Sequence, residues 1–195
     1  MGRIFALHFF IAGNFAILTL LMIFFVFIFS VFFVALAALF MVFLFYAVVW
    51  SHLKGAPFVP SRKAHVRTMI ALAEIKQGET IYDLGSGDGV MLCESARLGA
   101  KAVGIEINPF LVWYSRIRAK RARLSAIFVT RADFRTILLH DADVVFLYLW
   151  PSTNASLREK LLRELKPGSR IISNAFIIEG MELETQKNDV YLYIV

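Results

Sequence analysis

The stretch Thr80–Val90 reads TIYDLGSGDGV. Ile81 and Leu84 are apolar with Tyr82 between them, which reads as a short buried strand running into a turn. Asp83 closes the strand, and Gly85, Gly87 and Gly89 then alternate with Ser86 and Asp88. Glycines at spacing two let a backbone bend sharply and leave no side chain between it and a ligand. Val90 to Leu98 reads as the helix that follows. A strand, a glycine loop and a helix N-terminus together form a nucleotide-type binding site.

Spacing decides the class of nucleotide. A dinucleotide fingerprint, G-x-G-x-x-G, requires glycine at 85, 87 and 90, and position 90 is Val. The acid two residues before Gly85, with glycines at 85, 87 and 89, resembles the D-x-G-x-G-x-G loop of class I S-adenosylmethionine (SAM) methyltransferases. SAM has no phosphate, so such a loop need not cradle an anion. It carries an ammonium and two ribose hydroxyls, which suit carboxylates. A purely structural glycine turn is the alternative.

The rest of the soluble part falls into alternating strands and helices. Ala102 to Glu106 reads as the second strand, with Glu106 at its end about 20 residues past the loop, where a carboxylate accepts hydrogen bonds from ribose hydroxyls. Asn108-Pro109 opens a helix, with proline at its first position. The third strand is Ala126 to Thr130. Asp133 follows, placed to accept from an adenine amine with Phe134 against the ring, or alternatively to cap a helix. Asp143 to Leu149 is a nearly continuous apolar run, as expected of a central parallel strand. Trp150 and Pro151 stand at its carboxyl end, where open α/β sheets bind ligands. A helix from about Ser152 to Leu165, a fifth strand Arg170 to Ser173 and a closing hairpin in 182–195 complete a seven-strand pattern.

The first fifty residues are unlike the remainder. They hold one charged side chain, Arg3, and no acid. The apolar run from Phe15 to Trp50 far exceeds a signal-peptide core of roughly 7–15 residues. It also exceeds the about 20 residues that cross a bilayer. At least one transmembrane helix is expected, and Gly13-Asn14 is a place where a second could break away. Tyr46, Trp50 and His52 suit the headgroup level. Lys54, Arg62, Lys63 and Arg67 follow without an acid, which by the positive-inside rule puts residues 54–195 in the cytoplasm. SAM is made in the cytosol, so orientation and cofactor agree.

These features divide the chain into a membrane anchor at 1–53, a linker at 54–61 carrying Gly55, Pro57 and Pro60, and a catalytic domain at 62–195. Ser61 is placed to cap the next helix, Arg62 to Ile75, which Gly78 ends. A single cysteine, Cys93, excludes an internal disulfide framework. No cluster of His, Cys or Asp has metal-ligand spacing, and His8, His52, His65 and His140 read as polar residues and not as ligands.

PFVPS at 57–61, YDLGSGDG, VGIEINPFLVWYSRIRAK, DVVFLYLWP and ELKPGSRIIS together resemble one group. It is the membrane-anchored lysine methyltransferases similar to those of the ATP synthase c-subunit and the adenine nucleotide translocase, with their prokaryotic relatives. The similarity covers about residues 54–174; the NAFIIEG segment after Ser173 departs from it. The resemblance implies a Rossmann-like class I methyltransferase domain behind the transmembrane segment. It implies that Asp83, Gly85, Ser86, Gly87, Glu106, Asn108, Asp133 and Phe134 hold SAM, with Pro60 and Ser61 over its methionine end. It implies a lysine on an integral membrane protein as acceptor, at the cell membrane, or at the mitochondrial inner membrane in a eukaryote.

Methyl transfer from a sulfonium is an in-line displacement in which a protein supplies alignment and desolvation. A lysine acceptor must arrive neutral, and burial among aromatics lowers its pKa from about 10.4. Tyr148 and Trp150 are the candidate pocket walls; core packing is their alternative. No D-P-P-Y follows the fourth strand, which argues against an adenine-N6 nucleic-acid enzyme. Arg116, Arg118, Lys120, Arg121 and Arg123 form a basic run, either a solvated helix face or a surface for anionic lipid. No nucleic acid is expected, because Trp113 and Tyr114 are assigned to the core. A lipid or small-molecule acceptor, or SAM binding without catalysis, remains as the rival reading.

Overall fold

A computed structural model of the chain describes the backbone of residues 2–54 and 58–195, and the side chains of 14, 17–45 and 58–195. The chain divides into two compact units, 1–50 and 51–195.

The first unit is a single helix, α1 (Gly2–Lys54), unbroken at Gly13-Asn14. No acid or base interrupts Ile17–Phe45, whose mean hydropathy is 3.0, and its side chains are exposed throughout. The side chains of His8, Tyr46, Trp50, His52 and Lys54 lie outside the described residues, as does the segment 55–57 with its proline.

The second unit is a seven-stranded mixed sheet. Five strands are parallel: β1 (Thr80–Leu84), β2 (Lys101–Glu106), β3 (Ile127–Arg131), β4 (Val144–Leu147) and β5 (Arg170–Asn174). β6 (Thr185–Lys187) and β7 (Val190–Ile194) form the closing hairpin, and β7 runs antiparallel to β5. The order is β3-β2-β1-β4-β5-β7-β6, so the chain reverses direction of travel beside β1. This is the Rossmann-like, seven-strand arrangement expected from the sequence.

Alternate residues of each strand feed two apolar layers, because successive side chains point to opposite faces. On one face Ile81, Val144, Phe146, Ile172 and Leu192 pack against α2 (Lys63–Ala73) and α3 (Val90–Arg97) through Val66, Met69 and Met91. On the other, Leu84, Val145, Leu147, Ile171 and Tyr193 pack against Leu157 and Leu161 of α5 (Pro151–Glu164). A third cluster joins Val112 of α4 (Pro109–Arg121) to Leu92, Ala102 and Val129. At the amino ends of the strands Arg170 pairs with Glu79 and donates to the carbonyls of Ala73 and Glu74, tying β5 to the end of α2.

Three local expectations fail for identifiable reasons. Ser61 does not cap α2; Arg62 holds the cap position, with no side-chain cap bond. The helix ends at Glu74, which itself takes the left-handed conformation (φ 44°), so Gly78 serves the next turn instead. Trp113 and Tyr114 are not core residues: they are 62% and 46% exposed.

Phe146 is fully buried in the middle of the central strand. Phe146→Ala is expected to cost about 3–5 kcal/mol of unfolding free energy, since the emptied volume lies between packed layers. Leu138→Ala, at a 63% exposed position, is expected to stay within about 0.5 kcal/mol of the parent. Urea titration of both variants checks the contrast.

Candidate active site

The glycine loop leaves the carboxyl end of β1 and folds over β2. The N–H groups of Gly85 and Ser86 both donate to the carbonyl of Ile105, at 2.8 and 3.1 Å. Two of the glycines stand close against a neighbouring side chain. Gly89 precedes α3 with φ 74°, and a Cβ there would fall 2.1 Å from Ser115 Oγ on α4. Gly87 has φ 52°, and a Cβ there would fall 2.6 Å from the ring of Phe58. The open side of the loop therefore carries a protein side chain from the segment before α2. Of that segment Phe58 is the residue against the loop; Pro60 is exposed and Ser61 half-buried.

Glu106 ends β2 and is buried. One carboxylate oxygen accepts the N–H of Gly87 at 2.9 Å, and the other accepts the N–H of Asn108 at 2.8 Å. Asn108 in turn caps α4 by accepting the N–H of Phe110 at 2.9 Å. Each oxygen of Glu106 keeps lone-pair capacity for a further donor. Asp83 is 7% exposed in the adjacent strand. Burial first, then the negative charges of Glu106 and Asp88, push its carboxyl up to about 8. Asp88 is held in place from α4, where Arg118 donates to it at 2.7 Å while lying over the ring of Tyr114. Ser86 Oγ is buried with no hydrogen-bond partner among the described residues.

Asp133 lies past the end of β3 and caps a 3-10 turn, Phe134–Thr136, by accepting the N–H of Arg135 at 2.9 Å. The capping alternative is what the structure shows directly, and Arg135 also reaches the second oxygen at 3.2 Å. Phe134 is half-buried with the Arg135 guanidinium over its ring.

Tyr148 and Trp150 follow β4 on the same edge of the sheet. Tyr148 is half-buried, and Leu149 packs against Gly85. Trp150 is 51% exposed and stacks on Phe176, with ring centroids 5.9 Å apart and planes 24° from parallel. Phe176 comes from the segment after β5 that departs from the family pattern. It is delivered there by Ala175, which takes φ 66° and donates its N–H to the carbonyl of Asp189.

Sequence reasoning missed the polar residues at the end of β5 and their partners on α2 and α5. His65 on α2 shares a hydrogen bond with Asn174 Oδ1 at 2.8 Å. Asn154, in the first turn of α5, donates to Ser173 Oγ at 3.3 Å. Asn174 Nδ2 and Asn154 Oδ1 are both buried with no partner among the described residues. The available signal was the pair Ser173-Asn174, two polar residues that follow Ile171-Ile172 at the carboxyl end of β5. No group of His, Cys, Asp or Glu among the described residues has the arrangement of a metal site.

Comparison with known proteins places this geometry. The family model described as the ANTKMT methyltransferase domain matches residues 83–185. A protein-lysine N-methyltransferase of Saccharolobus islandicus is 34% identical over 161 residues, covering 74% of this chain and 97% of that protein. The human lysine N-methyltransferase of the ATP synthase c-subunit is 35% identical over 122 residues, covering 62% of this chain and 52% of that protein. The chain thus spans about half the length of such vertebrate relatives. Among solved structures, an RNA methyltransferase from Salinibacter ruber in complex with S-adenosyl-L-homocysteine is 36% identical with a TM-score of 0.66. That match covers 70% of this chain and 94% of the solved one. With the glycine loop, the strand-end carboxylates and the sheet order all in accord, the chain belongs to the ANTKMT methyltransferase family and is a SAM-dependent methyltransferase.

Proposed function

We propose that the chain is a protein-lysine N-methyltransferase, anchored in a membrane by Ile17–Phe45, whose acceptor is a lysine of an integral membrane protein. The observation that carries the acceptor class is the similarity over nearly the full length of the Saccharolobus islandicus enzyme. The vertebrate relatives are named for the ATP synthase c-subunit and the adenine nucleotide translocase. The uninterrupted apolar helix supports the anchor, and the domain boundaries 1–53, 54–61 and 62–195 go with that reading.

The residues at the strand ends fit SAM. Glu106 has acceptor capacity left for a ribose diol. In this reading Asp83, Gly85, Ser86, Gly87 and Asn108 hold the ammonium and ribose side. Asp133 and Phe134 take the adenine, and Pro60 and Ser61 cover the methionine end. When bound, SAM supplies an electrophilic methyl on a sulfonium. Tyr148 and Trp150, the latter backed by Phe176, wall the acceptor channel. In this reading aromatic surroundings lower the pKa of an entering ammonium, which gives up its proton to solvent before its nitrogen attacks.

Asp83 makes the cofactor site testable by pH. In the free protein its carboxyl titrates at about 8, so at pH 7 it is mostly protonated. A cationic ligand favours the ionised form, so its binding lowers that pKa and releases a proton. SAM affinity should therefore rise with pH from 6 to 8, by up to about tenfold per unit, and level off above. Calorimetry at pH 7 in buffers of different ionisation enthalpy should show proton release, and Asp83→Asn should abolish it. Affinity independent of both pH and buffer in the parent chain would remove Asp83 from the site.

The acceptor is tested by incubating the chain and methyl-labelled SAM with membranes from cells that lack it. Label is expected in protein, as methyl-lysine by mass spectrometry, and not in the lipid extract or RNA. Trp150→Ala is expected to reduce kcat/KM by on the order of tenfold to a hundredfold through loss of acceptor alignment, with SAM affinity unchanged. Label in RNA would favour the chemistry for which the Salinibacter ruber protein is named. Label in the organic extract would favour a lipid or other membrane-soluble acceptor.

A further inference from the structure

α4 carries two apolar stripes on opposite faces. Val112, Ser115 and Ala119 are buried against the sheet. Phe110, Trp113, Tyr114 and Ile117 recur at i, i+3, i+4 and i+7, which puts them on one helix face. Phe110 and Trp113 are 64% and 62% exposed, Tyr114 is exposed, and Ile117 is half-buried. An outward row formed by Trp113, Tyr114 and Ile117 is costly on a surface meant only for water.

The charge around the stripe has one sign. Residues 107–132 contain no acid. Arg118 is engaged by Asp88, and Arg116 donates to the carbonyl of Val129 on β3. Lys120, Arg121 and Arg123 are exposed and make no ion pair among the described residues. Tryptophan and tyrosine favour the headgroup level of a bilayer, and basic residues beside them are drawn to acidic headgroups. A single-stranded nucleic acid needs a groove that tracks its backbone. A row on the outside of a helix is convex and offers none.

We infer that the outer face of α4 docks on a bilayer surface rich in anionic lipid, with Trp113 and Tyr114 among the headgroups and Lys120, Arg121 and Arg123 against their charges. This rests on the proposed membrane anchor for its setting, and it adds a second point of contact. A docked helix fixes which way the substrate edge of the catalytic unit faces the bilayer.

The test uses the full chain reconstituted into vesicles, with an environment-sensitive fluorophore on Trp113→Cys. Cys93 is buried and does not compete for the label. Flotation of the vesicles reads the anchor; the fluorophore reads α4 and is measured whether or not the chain floats. In vesicles of phosphatidylcholine with phosphatidylglycerol the emission should shift to the blue and be quenched by nitroxide-labelled lipid. Both effects should be lost in pure phosphatidylcholine. They should also be lost when Lys120, Arg121 and Arg123 are changed together to Glu. The same fluorophore on Leu162→Cys, an exposed position on α5, should stay water-like throughout. A water-like signal at 113 in anionic vesicles overturns the inference. So does a shift that appears only when RNA is added.

Discussion

Two hydrogen bonds to one buried carboxylate hold the cofactor end of this protein together. Glu106 accepts from Gly87 on one oxygen and from Asn108 on the other, so the loop after β1 and the start of α4 share a single anchor. Charge-assisted bonds to backbone N–H groups are among the stronger ones available, and burial removes the competing water. The cost appears on the neighbour. Asp83 sits in the next strand, and the fixed negative charge of Glu106 helps hold it protonated. One carboxylate is committed to architecture, and the other is held mostly protonated beside it.

The rest of the second unit positions that edge. β1 to β5 all run the same way, so every strand ends where the loop, Glu106, Asp133, Trp150 and Asn174 lie. The change of strand order beside β1 opens a crevice at those ends. Trp150 follows β4 and Phe176 follows β5, while Asp83 and Glu106 belong to the neighbouring strands β1 and β2.

The strands were legible because apolar runs between glycine and proline turns leave few alternatives, and the loop was legible because its glycine spacing serves one geometry. The side of α4 on which its aromatics lie was not. With apolar residues on both faces, helical periodicity gives no single direction, and residue type alone points tryptophan and tyrosine inward. The partnership of His65 with Asn174 crosses 109 positions, and no local pattern encodes a contact of that range. Asp133 carried two compatible readings, a cap and an adenine acceptor, and only the backbone geometry selects the first for the free protein. Glu74 replaced the expected glycine at a helix end because Arg170 binds the carbonyls there and stabilises a strained turn from outside.

The contact between Phe58 and Gly87 also constrains how the sequence can change. Asparagine tolerates a left-handed backbone and is a common natural substitute for glycine in such turns. At position 87 any Cβ would meet the ring of Phe58, so an enlarged residue there requires that ring to turn aside. Two positions that a local reading assigns to separate elements are thus coupled through one contact.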